Sequence, residues 1–338
     1  MRTSTTRRWP VRYLWLGTLA VVATLLQPAS TAAAGRSIGQ AAAQAAANAI
    51  HRPQGITAGP DGALWFTNQS SDSIGRITTG GNVTTFTGNG ISGPDGITKG
   101  PDGALWFTNY DTNSIGRITT GGNVSNFTGS GIDGPQQITT GPDGALWFTN
   151  YDNSSIGRIT TGGKVSSFTD KGISRPYGIT TGPDGDLWFT NYGNNTIGRM
   201  TTSGVVTDYQ KQGVNGIRGP YAIAAGPDGA LWFTVNFDVN AIGRITTSGK
   251  ITLYNSGALS FPDALTAGPD GALWFTNGTH AIGRITTSGK IKSFSRKGII
   301  VSPPPDGITA GPDGALWFTN YYDDSVARMT TAGVVTRF

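Results

Sequence analysis

One recurring position in this chain carries side chains that can do chemistry. It follows a proline, and in chain order it is Gln54, Asp95, Gln136, Tyr177, Tyr221, Asp263 and Asp306. Carboxylates can hold cations or take protons, phenol rings can stack on a flat ligand, and amides can donate and accept hydrogen bonds. The flanking residues are copied almost unchanged each time, whereas this position varies. A fold built from copies does not require the variation; a ligand, which breaks the symmetry, does. Asp between Pro and Gly is also ordinary turn chemistry, so Asp95 and Asp306 have a loop-shaping reading beside the binding one.

The elements that must position this set are read from the repeat. Leu-Trp-Phe occurs seven times, beginning at residues 64, 105, 146, 187, 231, 273 and 316, at spacings of 41 to 44. Each copy stands in a unit of the form P-x-G-I-T-x-G-P-D-G-A-L-W-F-T-N, followed by I-G-R-I-T-T-x-G and a short segment ending in Phe or Tyr. Four short β-like runs fit in each unit; in the first they cover residues 55–58, 63–68, 74–78 and 83–87. The fixed Pro-Asp-Gly, as at Pro60-Asp61-Gly62, reads as a turn, with Pro presetting φ and Gly supplying a positive one. Four strands in roughly 40–45 residues, repeated radially, is the pattern of a propeller blade. The expected fold is therefore all-β, a seven-bladed β-propeller of four-stranded antiparallel blades over residues 53–338. Trp65 and its six counterparts are expected in the core between blades. The recurring Asp and Arg are read as structural, the Asp for the turn and the Arg for pairing between strands or blades. The last unit runs to Phe338, so blade seven is expected to take its outer strand from the C-terminus and none from the N-terminus.

In this reading the variable residue lies where the outer strand of one blade crosses to the inner strand of the next. The seven crossovers form a ring at the mouth of the central channel. Two of them, residues 209–222 and 295–307, are longer than the rest and rim the same face. Asp263 and Asp306 come from adjacent blades, where two carboxylates could share a hard cation.

The first 34 residues read as a signal peptide. Arg2, Arg7, Arg8 and Arg12 precede an apolar run from Tyr13 to Leu26, and small residues follow it. That run is shorter than the roughly 20 residues of a membrane-spanning helix. A secreted or extracytoplasmic protein is expected, with an Ala-rich leader at residues 35–52. The chain has 25 Lys and Arg against 20 acids, all of them Asp, and no Cys. Without the four signal arginines the balance is 21 to 20, close to neutral, which does not favour nucleic acid. The lack of Cys excludes disulfides, thiol catalysis and cysteine metal sites.

The combined string, P-x-G-I-T-x-G-P-D-G-x-L-W-F-T followed by I-G-R-I-T, resembles the virginiamycin B lyase (streptogramin lyase) family through all seven repeats. The resemblance implies the seven-bladed propeller. For the enzymes of that family it also implies a magnesium-dependent elimination that opens a cyclic depsipeptide antibiotic, with a base taking an α-proton and an acid protonating the leaving group. Family members place His at the variable position of the last two crossovers, where this chain has Asp263 and Asp306. They place Glu where it has Pro304, and Glu after the final Trp-Phe, where it reads Thr319-Asn320-Tyr321. Its two histidines, His51 and His280, fall outside the motif register. The function expected is a non-catalytic ligand-binding protein, a monomer that takes a small molecule, glycan or peptide on the crossover face. Tyr177 and Tyr221 would stack on the ligand there. The alternative is a streptogramin B lyase with Asp in place of His, and magnesium is expected only in that case.

Overall fold

The structure is a computed structural model and describes residues 50–210, 216–278, 281–295, 299 and 307–338. The signal segment, all but the last three residues of the leader, and the side chains of His280 and Asp306 lie outside the described residues. Within them the chain forms seven four-stranded antiparallel sheets, each built from strands consecutive in sequence. Blade one comprises Pro53–Ala58, Leu64–Asn68, Ser73–Ile77 and Val83–Thr87. The other blades repeat this plan, and the only helical turns among the described residues are Gln69–Ser71 and Tyr321–Asp323. No helix among them is long and apolar enough to cross a membrane.

Burial follows radius. The second strand of every blade, Leu-Trp-Phe-Thr with Asn or Val, is buried at all five positions. Neighbouring side chains on a strand point to opposite faces, and here both faces are covered by adjoining blades. Each Trp is fully buried and stacks on the aromatic residue of its own outer strand, as Trp65 does on Phe86 with ring centroids 5.3 Å apart. The apolar clusters cross blade boundaries: Trp147 and Ile156 of blade three pack with Leu187, Phe189 and Met200 of blade four. Ile50 belongs to this scheme. It is fully buried with Leu64, Phe66 and Trp317, at the place Ile91 and Ile132 occupy in the next blades, so the packing reaches at least three residues before Pro53.

Blade seven is Ile308–Ala310, Leu316–Asn320, Ser325–Met329 and Val335–Arg337, all from the C-terminal end, as the repeat phase predicts. Among the described residues no strand is exchanged with blade one, and non-covalent contacts close the ring. Phe338 stacks on Trp317 at 5.3 Å and lies against Gly81 of blade one.

The fixed Pro-Asp-Gly is a turn, and its Asp does more than shape it. Asp61 accepts a hydrogen bond from Trp65 Nε1 at 3.0 Å through Oδ1 and an ion-paired one from Arg76 Nε at 2.6 Å through Oδ2. The Arg76 guanidinium lies 6.0 Å from the Trp65 ring centre. The tie recurs in every blade. In blade four the arginine, Arg199, also reaches Asp186, which replaces the usual Ala. Burial pushes the Asp61 carboxyl pKa up, but the hydrogen bonds from Trp65 and Arg76 outweigh it and hold the carboxyl below its ordinary value. Asp102, Asp143, Asp228, Asp270 and Asp313 are lowered for the same reasons.

A carboxyl with a lowered folded pKa stabilises the protein above its unfolded pKa, about 3.9, and loses that contribution as pH falls through the folded value. Six such groups should make the melting temperature fall steeply below about pH 4. Thermal melts from pH 6 to pH 2 would test this, with Arg117→Gln expected to flatten the slope. A flat profile across that range would show that the ties do not couple to folding.

Candidate functional site

Strand order fixes which face carries what. The fixed Pro-Asp-Gly turns join the first and second strands at one end of each blade. The crossovers enter the first strand at the other end, where Pro53 lies opposite Asn68 at the end of the second strand. The turn after the second strand therefore shares the crossover face. Fixed turns and variable positions lie on opposite faces, which is why only one of them is free to vary.

Six of the seven variable residues are described, and they sit at the entries to six successive inner strands, with the inner strand of blade seven completing the ring. Gln54, Asp95, Gln136 and Asp263 are at most 9% exposed, and Tyr177 and Tyr221 are half-buried. Tyr177 and Tyr221 lie next to each other in the ring. Their rings stack on each other, with centroids 3.8 Å apart and planes at 24°, so the pair offers only its outer faces. Gln54 Nε2 is buried and meets no acceptor among the described residues. The Asp263–Asp306 pair cannot be placed, because Asp306 lies outside the described residues.

A threonine hydroxyl holds each crossover backbone. Thr67 Oγ1 accepts from the Gly55 N–H at 2.9 Å and donates to the Asp95 carbonyl of the next blade at 2.7 Å. Thr108, Thr149, Thr190 and Thr234 repeat the bridge. Thr319 makes it across the ring closure, between the Gly307 N–H at 2.9 Å and the Gln54 carbonyl at 2.7 Å. The variable side chains thus stand on a backbone that the fixed threonines hold rigid.

The asparagine that follows the threonine in six blades, Val235 standing there in blade five, ties down the incoming loop. Asn109 accepts the Ser92 N–H at 3.0 Å and donates to Gly90 O at 2.7 Å and to Ser114 Oγ at 3.1 Å. His51 uses its backbone N–H in the same way, toward Asn68 Oδ1 at 3.1 Å. In blade seven the residue two before Pro305 is Pro303, which has no N–H to give. Asn320 Oδ1 is buried with no partner among the described residues.

A second variable position on this face is not singled out by the Pro-x-Gly reading. The residue opening the turn after the second strand is Gln69, Tyr110, Tyr151, Tyr192, Asn236, Gly278 or Tyr321. Tyr151 and Tyr192 lie 6.5 Å apart, and the Arg175 guanidinium lies 6.0 Å from the Tyr151 ring centre. Burial raises the Tyr151 phenol pKa, against the opposing pull of Arg175. The signal that marks the crossover residues, variation within a copied unit, marks these too.

Of the positions that the family resemblance ties to the magnesium-dependent reaction, Pro304 and Asp306 lie outside the described residues. No three His, Asp, Cys or Glu side chains among them come together as a metal site would need. Asp95 and Asp263 belong to blades two and six, and the crossover residues next to each in the described ring are Gln or Tyr.

The class this geometry defines is a seven-bladed propeller with a variable ring at the channel mouth, braced from behind by copied hydroxyls. The chain belongs to the virginiamycin B lyase family, whose sequence profile matches residues 31–210 and 91–296 in two overlapping registers. It is similar to virginiamycin B lyase from Staphylococcus aureus, 36% identical, with 82% of this chain and 94% of that one covered and a TM-score of 0.74. A catalytically inactive histidine-to-alanine variant of the S. aureus enzyme, with quinupristin, is 37% identical over 83% of this chain and 95% of that one, with a TM-score of 0.76. A curated virginiamycin B lyase from Saccharopolyspora erythraea is 64% identical over 33 residues, which spans only 11% of that protein and 10% of this chain.

Proposed function

We propose that this chain is an exported, ligand-binding member of the virginiamycin B lyase family that holds its ligand on the crossover face without opening it. One observation carries the reading: none of the six described residues of the inner ring, Gln54, Asp95, Gln136, Tyr177, Tyr221 and Asp263, is histidine. In the S. aureus relative, replacing a single histidine gives a catalytically inactive protein. An Asp has an ordinary pKa near 4 and is a weak base at neutral pH. The ligand classes that suit such a ring are a small molecule, a glycan or a peptide. The protein would act as a monomer outside the cytoplasmic membrane.

The second reading is a streptogramin B lyase in which Asp263 and Asp306 stand in for the histidines. It is favoured by the 36% identity over 94% of the S. aureus enzyme. Incubating purified residues 35–338 with a streptogramin B antibiotic and magnesium, followed by mass spectrometry, separates the two. Elimination leaves the mass unchanged but alters retention and fragmentation. The expected result is intact antibiotic beside a relative that opens it. A linear product that disappears with EDTA and in Asp263→Ala or Asp306→Ala would establish the lyase.

A further inference from the structure

Asparagine or aspartate followed by glycine is a chemically labile pair. The glycine amide nitrogen can attack the preceding side-chain carbonyl carbon, because glycine has no Cβ to hinder the approach or to restrict the backbone. This chain is rich in such pairs, since every fixed Pro-Asp-Gly turn is one. The structure sorts them by whether the attacking nitrogen and the attacked carbonyl are held.

The turn aspartates are held at the carboxylate. Asp102 accepts from Trp106 Nε1 at 3.0 Å on one oxygen and from Arg117 Nε at 2.7 Å on the other, and the other six blades repeat the arrangement. An ionised carboxylate with both oxygens engaged is a poor target for a nucleophile. Three further pairs are held at the glycine. The Gly96 N–H donates to Thr108 Oγ1 at 2.9 Å, that of Gly134 to Asn113 Oδ1 at 2.8 Å, and that of Gly307 to Thr319 Oγ1 at 2.9 Å. Asn277-Gly278 is held on both sides. Asn277 is fully buried, its Oδ1 accepts the Ser260 N–H at 2.7 Å, its Nδ2 donates to Ala258 O at 2.7 Å, and the Gly278 N–H donates to Ser260 O at 2.6 Å.

Asn89-Gly90 is the exception. It lies in the crossover from blade one to blade two, and Asn89 is exposed between two glycines. Among the described residues neither its side chain nor the Gly90 N–H enters a hydrogen bond. The bond that closes its turn, Ile91 N–H to Gly88 O, is 3.4 Å long, against 3.1, 3.0 and 3.0 Å for the corresponding bonds of Ile132, Ile173 and Leu259. Nucleophile and electrophile are adjacent there, and solvent reaches them.

We propose that Asn89 is a site of spontaneous modification, deamidated through a cyclic imide in the folded protein, whereas Asn277, the same dipeptide, is shielded by the fold. The Gly90 nitrogen gives up its proton to a solvent base and bonds to Asn89 Cγ. The Cγ–Nδ2 bond breaks, and the amide nitrogen takes up a proton and leaves as ammonia. Water then opens the imide at one carbonyl or the other, leaving aspartate or isoaspartate at position 89. The isoaspartyl link adds one carbon to the main chain directly before Gly90, where space is short. A Cβ at Gly90 would lie 2.7 Å from Asn126 Cβ, the Gly90 carbonyl accepts from Asn109 Nδ2 at 2.7 Å, and Ile91 is buried with Trp65 and Phe107 between blades one and two. A lengthened chain cannot keep all three contacts, so the change loosens the crossover that leads into Asp95 of the variable ring. This inference is independent of what the ring binds.

The test is ageing of the full mature chain at mildly alkaline pH, in native buffer and in parallel in urea, followed by tryptic mapping with fragmentation that separates aspartyl from isoaspartyl links. Asn89 falls in the tryptic peptide 77–99 and Asn277 in 251–284. In native buffer the amide-to-acid mass gain should accumulate at Asn89 several-fold faster than at Asn277. In urea the two rates should converge, since the dipeptide is the same and only the fold distinguishes them. The native rate at Asn89 should fall at mildly acid pH, where less of the attacking amide is deprotonated. Ion exchange isolates the modified fraction by its added negative charge. That fraction should melt at a lower temperature, and Asn89→Ser aged in the same way should keep its melting temperature. Equal native rates at the two sites, or an Asn89 that reacts in urea but stays intact in native buffer, would overturn the inference. So would a modified fraction that melts like the fresh protein, or an equal loss in aged Asn89→Ser.

Discussion

Trp147→Ala is expected to lower the unfolding free energy by about 4 kcal/mol, near the upper part of the range for large aromatic truncations in a core. The indole is fully buried between blades three and four. It stacks on Phe168 at 5.3 Å and donates to Asp143 Oδ1 at 2.9 Å. Alanine removes the apolar area, leaves a cavity that flanking strands cannot close, and deprives a partly buried carboxylate of a donor. Trp147→Phe keeps much of the packing and loses the hydrogen bond, so about 1–2 kcal/mol is expected from it. Urea denaturation read at the transition midpoint distinguishes the two. A loss below about 1 kcal/mol for the alanine variant would mean that the interblade core tolerates a hole and that the seven tryptophans are not what holds the blades together.

The same tryptophan shows why the blade is legible in the sequence. Leu146-Trp147-Phe148 places neighbouring apolar side chains on both faces of one strand, and only an element covered on both faces can use them. Seven copies at nearly constant spacing then give the blade number, and the phase of the last copy gives the closure. Thr149 is different. Threonine is an ordinary strand residue, and the groups its hydroxyl joins are the Gln137 N–H and the Tyr177 carbonyl, backbone atoms that no side-chain pattern marks. Asp143 is legible as a turn residue, but its ties to Trp147 and Arg158 need three chain segments to be superposed. The crossover ring is legible by position, and Tyr177 and Tyr221 are neighbours as their adjacent blades imply; that their rings stack on each other needs the structure. The packing of crossover against turn on this face escapes a linear reading because the larger side chain comes from one loop in some blades and from the other loop in others. Only the approach of Gly93 to Asp111, or of Gly193 to Arg175, shows that the two loops fill one place.

Thr319→Val should be more damaging than the same change at Thr149, although the two hydroxyls make the same bridge. Valine keeps the shape and removes the hydroxyl, leaving the Gly307 N–H and the Gln54 carbonyl without their partner. Each buried group left unsatisfied costs about 1–3 kcal/mol, so about 2–6 kcal/mol is expected at either site. The sites differ in what remains. Between blades three and four the crossover is covalent, and the blades stay joined when the bridge is lost. Between blades seven and one no strand is shared, and what remains is Trp317 packed against blade one, Phe338 on Gly81, Tyr321 Oη on Gln69 Oε1 at 3.0 Å, and Asp324 on the Arg52 N–H at 2.7 Å. Those contacts form together or not at all, so weakening one should let the ring open locally before it unfolds globally. Native-state hydrogen exchange should show the amides of residues 54–58 and 316–320 losing protection in Thr319→Val, with the remaining blades unchanged. Thr149→Val should lose stability without that local signature. Equal, global loss of protection in both variants would mean that closure is no weaker than any other interface and that the propeller opens only by unfolding as a whole.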